Sequence, residues 1–230
     1  MQQISIVIPA LNEEQGIKKT LDSIPHQKLR DLGYEVQVIV VDNASEDSTS
    51  DVAAQSGATV ILQPKRGYGH AYKAGFAAAN GSWLISSDAD GTYPISQLDE
   101  ILSQLDLNNL DFVTTNRFKQ EYFSLHQMPF INRVGNKFLS LLTQFVFDFP
   151  VKDSQSGMWI FRKNLYDKMI IRSNGMGFSQ EIKIEAIKNL HSRWIEIDIN
   201  YAERIGKKKL NVIKDGFLNL CNLLAKRLRR

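Results

Sequence analysis

The sequence has 230 residues, of which 43% are hydrophobic and 23% are charged. This composition excludes a collagen-like, disordered or low-complexity chain, and the length is sufficient for one large domain with a hydrophobic core. The single cysteine, Cys221, excludes a disulfide framework and a cysteine-based zinc site. Residues 1–115 carry a charge balance of −8, whereas residues 116–230 carry +11. The acidic half suits a divalent cation and the basic half an anionic partner, although chance segregation of solvated charge explains the asymmetry equally well.

The first half of the sequence alternates strand-like with helix-like segments. The predicted strands are 4–8, 36–41, 58–62, 83–85 and 112–115. The predicted helices between them are 13–24, 49–55, 71–80 and 95–105. This alternation indicates a mostly parallel sheet flanked by helices. Ligands bind such sheets beyond the carboxyl ends of the strands, where Asn12, Asp42, Asp88 and Asp90 lie.

The second half contains two segments with the apolar spacing of amphipathic helices. The first carries apolar residues at Ile131, Val134, Phe138, Leu141, Leu142, Phe145 and Phe149. The second carries them at Leu210, Ile213, Phe217, Leu220, Cys221 and Leu224, before a basic end at residues 226–230. Such a helix either packs its apolar side on its own sheet or lies on a membrane surface, and the spacing alone leaves both open.

Asp88 and Asp90 form the clearest candidate for chemistry. Two carboxylates in a turn after a strand can converge on Mg²⁺ or Mn²⁺, which completes its coordination with phosphate oxygens. An Asp-x-Asp triplet is also common in capped turns, so the strand-end position decides the interpretation. The sequence lacks a complete dinucleotide fingerprint at Gly67-Tyr68-Gly69, a P-loop and a hydrolase nucleophile elbow. A nucleotide diphosphate held through a metal is therefore the favoured ligand.

Several of these motifs carry a family resemblance. Residues 6–14 (IVIPALNEE), 40–45 (VVDNAS) and 88–91 (DADG) look like family-2 glycosyltransferases of the GT-A fold. Residues 153–157 (DSQSG), 178–182 (FSQEI) and 204–210 (RIGKKKL) are similar to the dolichol-phosphate-mannose synthase and polyprenyl-phosphate glycosyltransferase group. The resemblance implies a single catalytic α/β domain with amphipathic C-terminal helices. It divides the chain into a nucleotide-sugar-binding half (1–116), an acceptor half (117–210) and a basic helix (211–230).

The resemblance also implies roles for individual residues. The nucleotide pocket would be formed by Pro9, Leu11, Glu13, Asp42 and Asp88. The divalent metal, Mg²⁺ or Mn²⁺, would be bound by Asp88 and Asp90, with Thr92 standing where related synthases often have a glutamine ligand. The acceptor phosphate would be bound by Arg117 and Arg133, in a site completed by Asp153, Ser156, Arg204 and Lys209. The residues implied as catalytic are Asp88, Asp90, Arg117 and Arg133.

The implied activity is inverting transfer of a sugar from a UDP- or GDP-linked donor to a polyprenyl phosphate. One alternative is a saccharide hydroxyl acceptor, which would need a carboxylate base such as Asp153 or Glu181. Another alternative is a nucleotide-sugar-binding protein without turnover. The sequence shows neither a signal peptide nor a bilayer-spanning segment. We therefore expect a peripheral protein at the cytoplasmic face of a membrane, with a membrane partner subunit as an open alternative and no nucleic-acid role.

Overall fold

The computed structural model describes residues 1–118, 128–207, 209 and 212–228. Its strands are β1 (Gln2–Ala10), β2 (Tyr34–Asp42), β3 (Thr59–Leu62), β4 (Trp83–Ser86), β5 (Phe112–Asn116), β6 (Trp159–Arg162) and β7 (Trp194–Asp198). Its α-helices are α1 (Glu14–Asp22), α2 (His26–Asp31), α3 (Thr49–Gln55), α4 (Tyr68–Ala78), α5 (Leu98–Leu107), α6 (Phe130–Phe147), α7 (Lys163–Tyr166), α8 (Phe178–Lys183) and α9 (Val212–Leu228). A 3₁₀ turn (Ile95–Gln97) precedes α5, and a π-helical segment (Ile184–Asn189) continues α8.

The strands form one seven-stranded sheet in the order β3-β2-β1-β4-β6-β5-β7. The pairs β1–β2, β1–β4, β2–β3 and β5–β7 are parallel, whereas β6 runs antiparallel to β4 and β5 between them. The predicted mostly parallel sheet is therefore confirmed. Strands from both predicted halves of the chain pair within it.

Side chains of alternating direction bury both faces of the central strands. In β1, Ile4, Ile6 and Ile8 face one apolar core, whereas Val7 faces the other. This is the two-residue period of a strand covered on both faces. Helices α1, α2, α3 and α5 contribute to the first core, and α4, α6 and α8 to the second. The loops after β1, β2, β4 and β5 lie at one edge of the sheet, and this edge carries the candidate site described below.

The sequence predicts the elements of the first half well and misses several of the second. The five predicted strands and the helices between them are confirmed, although α4 begins at Tyr68, three residues before the predicted start. Gly67, at φ +146°, is the residue that the helix start requires there. Helices α2, α7 and α8 and strands β6 and β7 were not predicted, because each is short and lacks a distinctive period.

Helix α6 exposes most of its predicted apolar stripe, although Leu142 packs against the second core and Phe149 is buried just beyond the end of the helix. Its apolar stripe is exposed at Ile131, Val134, Phe138, Leu141 and Phe145. The buried side of the helix is partly polar: Ser140 and Thr143 are buried, and Gln144 donates a 2.6 Å hydrogen bond to the Val151 carbonyl. Helix α9 packs beside α6 and exposes Phe217, Leu218, Leu224 and Leu228. Within the described part of the chain, no helix is both long and apolar enough to cross a membrane.

Candidate active site

The turn after β4 carries the two predicted metal-binding carboxylates. Asp90 is buried, and its Oδ1 accepts a 2.6 Å hydrogen bond from the Thr92 hydroxyl. Thr92 therefore orients the carboxylate of Asp90 in this structure.

Helix α1 packs closely against the same turn, since a Cβ atom on Gly16 would lie 2.8 Å from the Ala89 carbonyl oxygen. Gly16 thus allows α1 to support the turn directly, a contact that the sequence analysis missed.

Asp88 lies among tyrosine hydroxyls. The Tyr68 hydroxyl donates a 3.1 Å hydrogen bond to Asp88 Oδ1. Burial, reinforced by the charge of Asp90, raises the pKa of Asp88 to about 7. A carboxyl with such a pKa gains from a nearby cation, because the cation favours the ionised form.

A segment after β7 closes over these carboxylates. The Ala202 amide donates to the Thr92 carbonyl at 2.9 Å, and the Ile205 amide donates to the Asp90 carbonyl at 3.0 Å. We call residues 199–207 the strap. Its Arg204 places Nη1 2.7 Å from Asp90 Oδ2. The pair joins Arg204 to the carboxylate turn, whereas the predicted contact of Arg204 with a phosphate stays a prediction.

Glu13 is the second partner of the strap. Arg204 Nη2 also contacts Glu13 Oε1, and Lys209 Nζ lies 2.6 Å from the same oxygen. Glu13 is buried, which raises the pKa of its carboxyl despite these two cations. Its Oε2 atom is buried with no hydrogen-bond partner within the described residues. Glu13 therefore joins the loop after β1 to the strap.

The donor atoms at this turn fit a divalent cation. Carboxylate oxygens are the ligands that Mg²⁺ and Mn²⁺ prefer. Asp90 Oδ2 already pairs with one positively charged group, the guanidinium of Arg204. Within the described residues, no group of three or more His, Cys, Asp or Glu side chains is arranged to hold a metal. Asp88 and Asp90 are the carboxylates at this turn that would hold such a cation, and Mg²⁺ generally adds phosphate oxygens and water to one or two carboxylates.

Asp42 and its neighbour shape the loops at the adjacent strand end. Asp42 accepts hydrogen bonds from the Ser45 amide, at 2.8 Å, and from the Ser50 hydroxyl. Asn43 donates to the Lys65 carbonyl at 2.7 Å and accepts from the Gly67 amide at 2.7 Å. Asn43 thus fixes the loop that leads into α4, a role the sequence analysis missed although the residue directly follows a strand end.

Two residues of the predicted nucleotide pocket, Pro9 near the end of β1 and Leu11 just after it, lie at the same edge of the sheet. Pro9 and Leu11 are partly exposed there. Their predicted contacts with a nucleotide, and that of Asp42 with the base, stay predictions.

Arg117 is held by a buried ion pair that its sequence position did not reveal. Arg117 follows β5 directly, and its Nε and Nη2 donate to the Asp153 carboxylate at 2.7 and 3.0 Å. The guanidinium lowers the pKa of Asp153 below its ordinary value although burial opposes this. Ser156 is buried beneath, in contact with the Thr115 hydroxyl. Asp153 and Ser156 therefore support Arg117 from within the protein.

Arg117 also lines a cavity of about 530 Å³. The lining includes Asp88, Asp90 and Arg204 together with residues of α6 and α9. Its residues on α6 include Asn132, Gly135, Asn136, Phe138 and Leu139, and those on α9 include Gly216, Phe217, Asn219 and Leu220. Arg133 lies on α6 but is not among the lining residues, so its predicted phosphate contact stays a prediction.

Glu181 serves to hold α9. Its Oε2 accepts from the Arg172 and Ser173 amides at 3.0 and 2.7 Å, and its Oε1 accepts from Lys226 Nζ at 3.0 Å. Lys226 also pairs with Glu185, and both carboxylates are buried. This triad attaches the C-terminal helix to α8 and thereby completes one wall of the cavity.

The profile of Glycosyl transferase family 2 matches residues 5–170. The chain belongs to glycosyl transferase family 2. This family-2 glycosyltransferase is 32% identical over 223 residues to the low-salt glycan biosynthesis hexosyltransferase Agl6 of Haloferax volcanii. The match covers 96% of this chain and 53% of Agl6, so the chain spans about half the length of that relative. A dolichyl-phosphate hexose transferase from the same organism is 30% identical, over 93% of this chain and 89% of its own length.

The GT-A fold of this family-2 glycosyltransferase is supported by a solved structure. The glucosyl-3-phosphoglycerate synthase of Mycobacterium tuberculosis, in complex with Mn²⁺, UDP and glucosyl-3-phosphoglycerate, superposes with a TM-score of 0.75 at 20% identity. The superposition covers 98% of this chain and 80% of the synthase. At this identity the likeness establishes the fold, and it confirms the predicted GT-A architecture.

Proposed function

We propose that this glycosyltransferase moves a hexose from a UDP- or GDP-linked donor to a polyprenyl phosphate, with inversion and with Mg²⁺ or Mn²⁺. The observation that carries the proposal is the lining of the cavity. It includes the carboxylates of Asp88 and Asp90 with Arg117 and Arg204. It also includes Phe138 and Phe217, which are 58% and 65% exposed. A phosphate with a long apolar tail matches both kinds of lining.

The two carboxylates that could serve as a base already bond to other groups of the protein, which favours a phosphate over a hydroxyl acceptor. A hydroxyl must give up its proton to a base, and the sequence offered Asp153 and Glu181 for this role. Asp153 is committed to Arg117, and Glu181 to two backbone amides and Lys226. A phosphomonoester is already ionised near neutral pH and needs no protein base. The dolichyl-phosphate hexose transferase relative supports the same acceptor class.

The reaction is then a single displacement. An acceptor phosphate oxygen forms a bond to the anomeric carbon while the bond from that carbon to the donor diphosphate breaks, and the electron pair leaves with the nucleotide. Arg117 binds and orients the acceptor phosphate, and Arg204 with Lys209 stabilises the departing diphosphate. Asp88 and Asp90 would hold the divalent cation, which neutralises charge on that diphosphate. Attack opposite the leaving group inverts the anomeric configuration.

We propose a membrane surface as the working position of the enzyme. Helices α6 and α9 pack against each other, each carries exposed apolar residues, and Phe138 and Phe217 among these line the cavity. Exposed Lys137 on α6 and Arg227 on α9 flank this apolar surface. Such a combination of apolar and basic side chains binds anionic interfaces. A lipid-linked acceptor would then reach Arg117 without leaving its bilayer, at the cytoplasmic face where we place the enzyme.

A transfer assay tests the proposed function. Labelled UDP- and GDP-sugars are supplied with Mg²⁺ or Mn²⁺, with and without polyprenyl phosphate, and the label is measured in the organic phase. We expect label there only with lipid phosphate and intact Asp90. Asp90→Asn is compared with Asp111→Asn, whose carboxylate pairs with Arg193. Metal-dependent nucleotide binding without an organic-soluble product would reject the lipid phosphate and favour a hydroxyl acceptor or a binding protein.

A further inference from the structure

Lys183 is a buried cation that the proposed reaction does not use. It is the last residue of α8 and is 0% exposed. Its Nζ donates hydrogen bonds to the Asp153 carbonyl at 2.7 Å and to the Ser156 carbonyl at 2.9 Å. An ammonium group loses much hydration free energy on burial, so its partners must offset that loss. Lys183 therefore acts on the segment whose carbonyl groups accept its hydrogen bonds.

That segment is the turn of residues 153–157, which contributes to the site at both ends. At its start, Asp153 pairs with Arg117. At its end, the Gly157 amide donates a 2.6 Å hydrogen bond to the Tyr93 hydroxyl. A Cβ on Gly157 would collide with the Tyr68 hydroxyl and approach Asp88 Oδ1 to 3.4 Å. The Asp153 end of the turn therefore sets the position of Arg117, whereas its Gly157 end packs against the tyrosines beside Asp88.

The turn is held from two sides by opposite charges. Lys183 binds its carbonyls, whereas Glu196 on β7 accepts from the Lys152 and Asp153 amides at 2.8 and 2.9 Å. The charged groups facing Lys183 are Asp153, Glu196 and Arg117. With all four ionised, the cluster is neutral. Removal of the lysine charge would leave a negative cluster beneath the point where a phosphate has to bind.

We propose that Lys183 is a positioning residue for the acceptor phosphate: it fixes the 153–157 turn, so that Asp153 directs Arg117 into the cavity. The proposal rests on the proposed function, in which Arg117 binds that phosphate. Lys183 itself is enclosed by protein and acts only through Asp153 and Ser156. Its loss should therefore affect acceptor binding more than donor binding, because the donor carboxylates belong to the turn after β4.

Burial lowers the pKa of Lys183 to about 7, against the opposing charges of Asp153 and Glu196 and with the support of Arg117. The ammonium form is therefore lost as the pH rises through the neutral range. Arginine at this position would stay protonated throughout. This difference supplies a readout that a merely structural lysine would not produce.

Kinetics of Lys183→Met and Lys183→Arg provide the first test, with Lys168→Met, at an exposed lysine, as the control. Between pH 6 and 9 we measure the KM for polyprenyl phosphate and the Kd for UDP or GDP with Mn²⁺. We expect Lys183→Met to raise the acceptor KM by about tenfold, as for loss of a buried charged hydrogen bond, with the nucleotide Kd within about twofold. Lys183→Arg should keep a low KM and remove its rise above pH 7. The proposal would be overturned if Lys183→Met raised the acceptor KM and the nucleotide Kd by the same factor. It would also be overturned if the acceptor KM of Lys183→Arg still rose above pH 7.

A spectroscopic test separates this proposal from the proposed function. The Arg117 Nε–H group, bonded to Asp153, should give a shifted and slowly exchanging NMR signal, assigned by its absence in Arg117→Lys. We expect Lys183→Met, or Lys183→Gln if the first variant fails to fold, to accelerate its exchange. An unchanged signal would overturn the role of Lys183. The signal is informative even if the wild-type enzyme makes no lipid product, which would reject the proposed function alone.

Discussion

Arg204 Nη1 lies 2.7 Å from Asp90 Oδ2, so the protein pairs one of its own cations with the carboxylate that we assign to the divalent metal. The strap that carries Arg204 is also bonded to the backbone of Asp90 and Thr92. Binding of a cation at Asp90 therefore requires the guanidinium to move or to share that oxygen. In the proposed reaction the negative diphosphate would give the guanidinium a new partner, and metal binding would then be coupled to nucleotide binding.

Arg204→Gln should separate these two contributions. Without the competing cation, the affinity of the protein for Mn²⁺ in the absence of nucleotide should increase, because Asp90 loses a partner of like charge to the metal. The kcat should fall by about 10²–10³-fold, since the leaving diphosphate loses a stabilising cation. Mn²⁺ titration by electron paramagnetic resonance and the transfer assay measure the two effects.

Arg193→Gln is the control. Arg193 is exposed, its Nε lies 2.9 Å from Asp111 Oδ2, and neither residue lines the cavity. It should change neither quantity. A weaker Mn²⁺ affinity in Arg204→Gln would contradict competition between the two cations at Asp90.

Asp88→Asn should stabilise the ligand-free protein while abolishing transfer. A carboxyl whose folded pKa is raised, here to about 7 from 3.8, lowers the free energy of unfolding as the pH rises between those two values. The uncharged amide removes this loss. The gain in melting temperature should therefore be small near pH 4, grow toward pH 7 and remain constant above it.

Calorimetry of both proteins across this range, without metal or nucleotide, measures that gain. A gain in melting temperature that is independent of pH would show that ionisation of Asp88 does not destabilise the folded protein between pH 4 and 7. Such a result would place its pKa near the ordinary value.

Phe145→Glu should reduce membrane binding without reducing stability. Phe145 is 87% exposed on α6, so the substitution breaks no core contact. It places a negative charge on the apolar stripe, which opposes both insertion and attraction to anionic lipid. We expect loss of most co-sedimentation with vesicles containing anionic lipid, and an unchanged melting temperature.

Leu107→Glu is the matched control, because Leu107 is 85% exposed at the end of α5. It should leave vesicle binding intact. Equal binding by both variants would remove the α6 stripe from the membrane-facing surface.

Gly135 tests the route of the acceptor tail. Gly135 lies on α6, lines the cavity, and has open space where a Cβ would be. Gly135→Ala should stabilise the helix by about 0.5–1 kcal/mol with little effect on transfer. Gly135→Leu should fill the cavity, and should raise the KM for a long polyprenyl phosphate more than the affinity for nucleotide changes. Equal KM values in the two variants would place the tail elsewhere.

The sequence predicts those parts of the protein that depend on local pattern. Strands β1, β2 and β4 are short apolar runs, and the polar residues directly after them converge because parallel strands end at one edge. The pair Arg117–Asp153 was not predicted, because 36 residues separate its members and only the antiparallel insertion of β6 brings them together. The period of α6 predicted its two faces but not which face is buried, since that depends on its neighbours.

The position of β6 has a consequence for how the chain assembles. Strands β4 and β5 are consecutive in sequence, yet each pairs with β6 and they do not adjoin in the sheet. During synthesis, β4 and β5 therefore each keep an unpaired edge until residues 159–162, which form β6, have left the ribosome. Such edges are sites of aggregation. A fragment that stops at residue 116 would retain the whole carboxylate turn and still lack the strand that closes the sheet beside it.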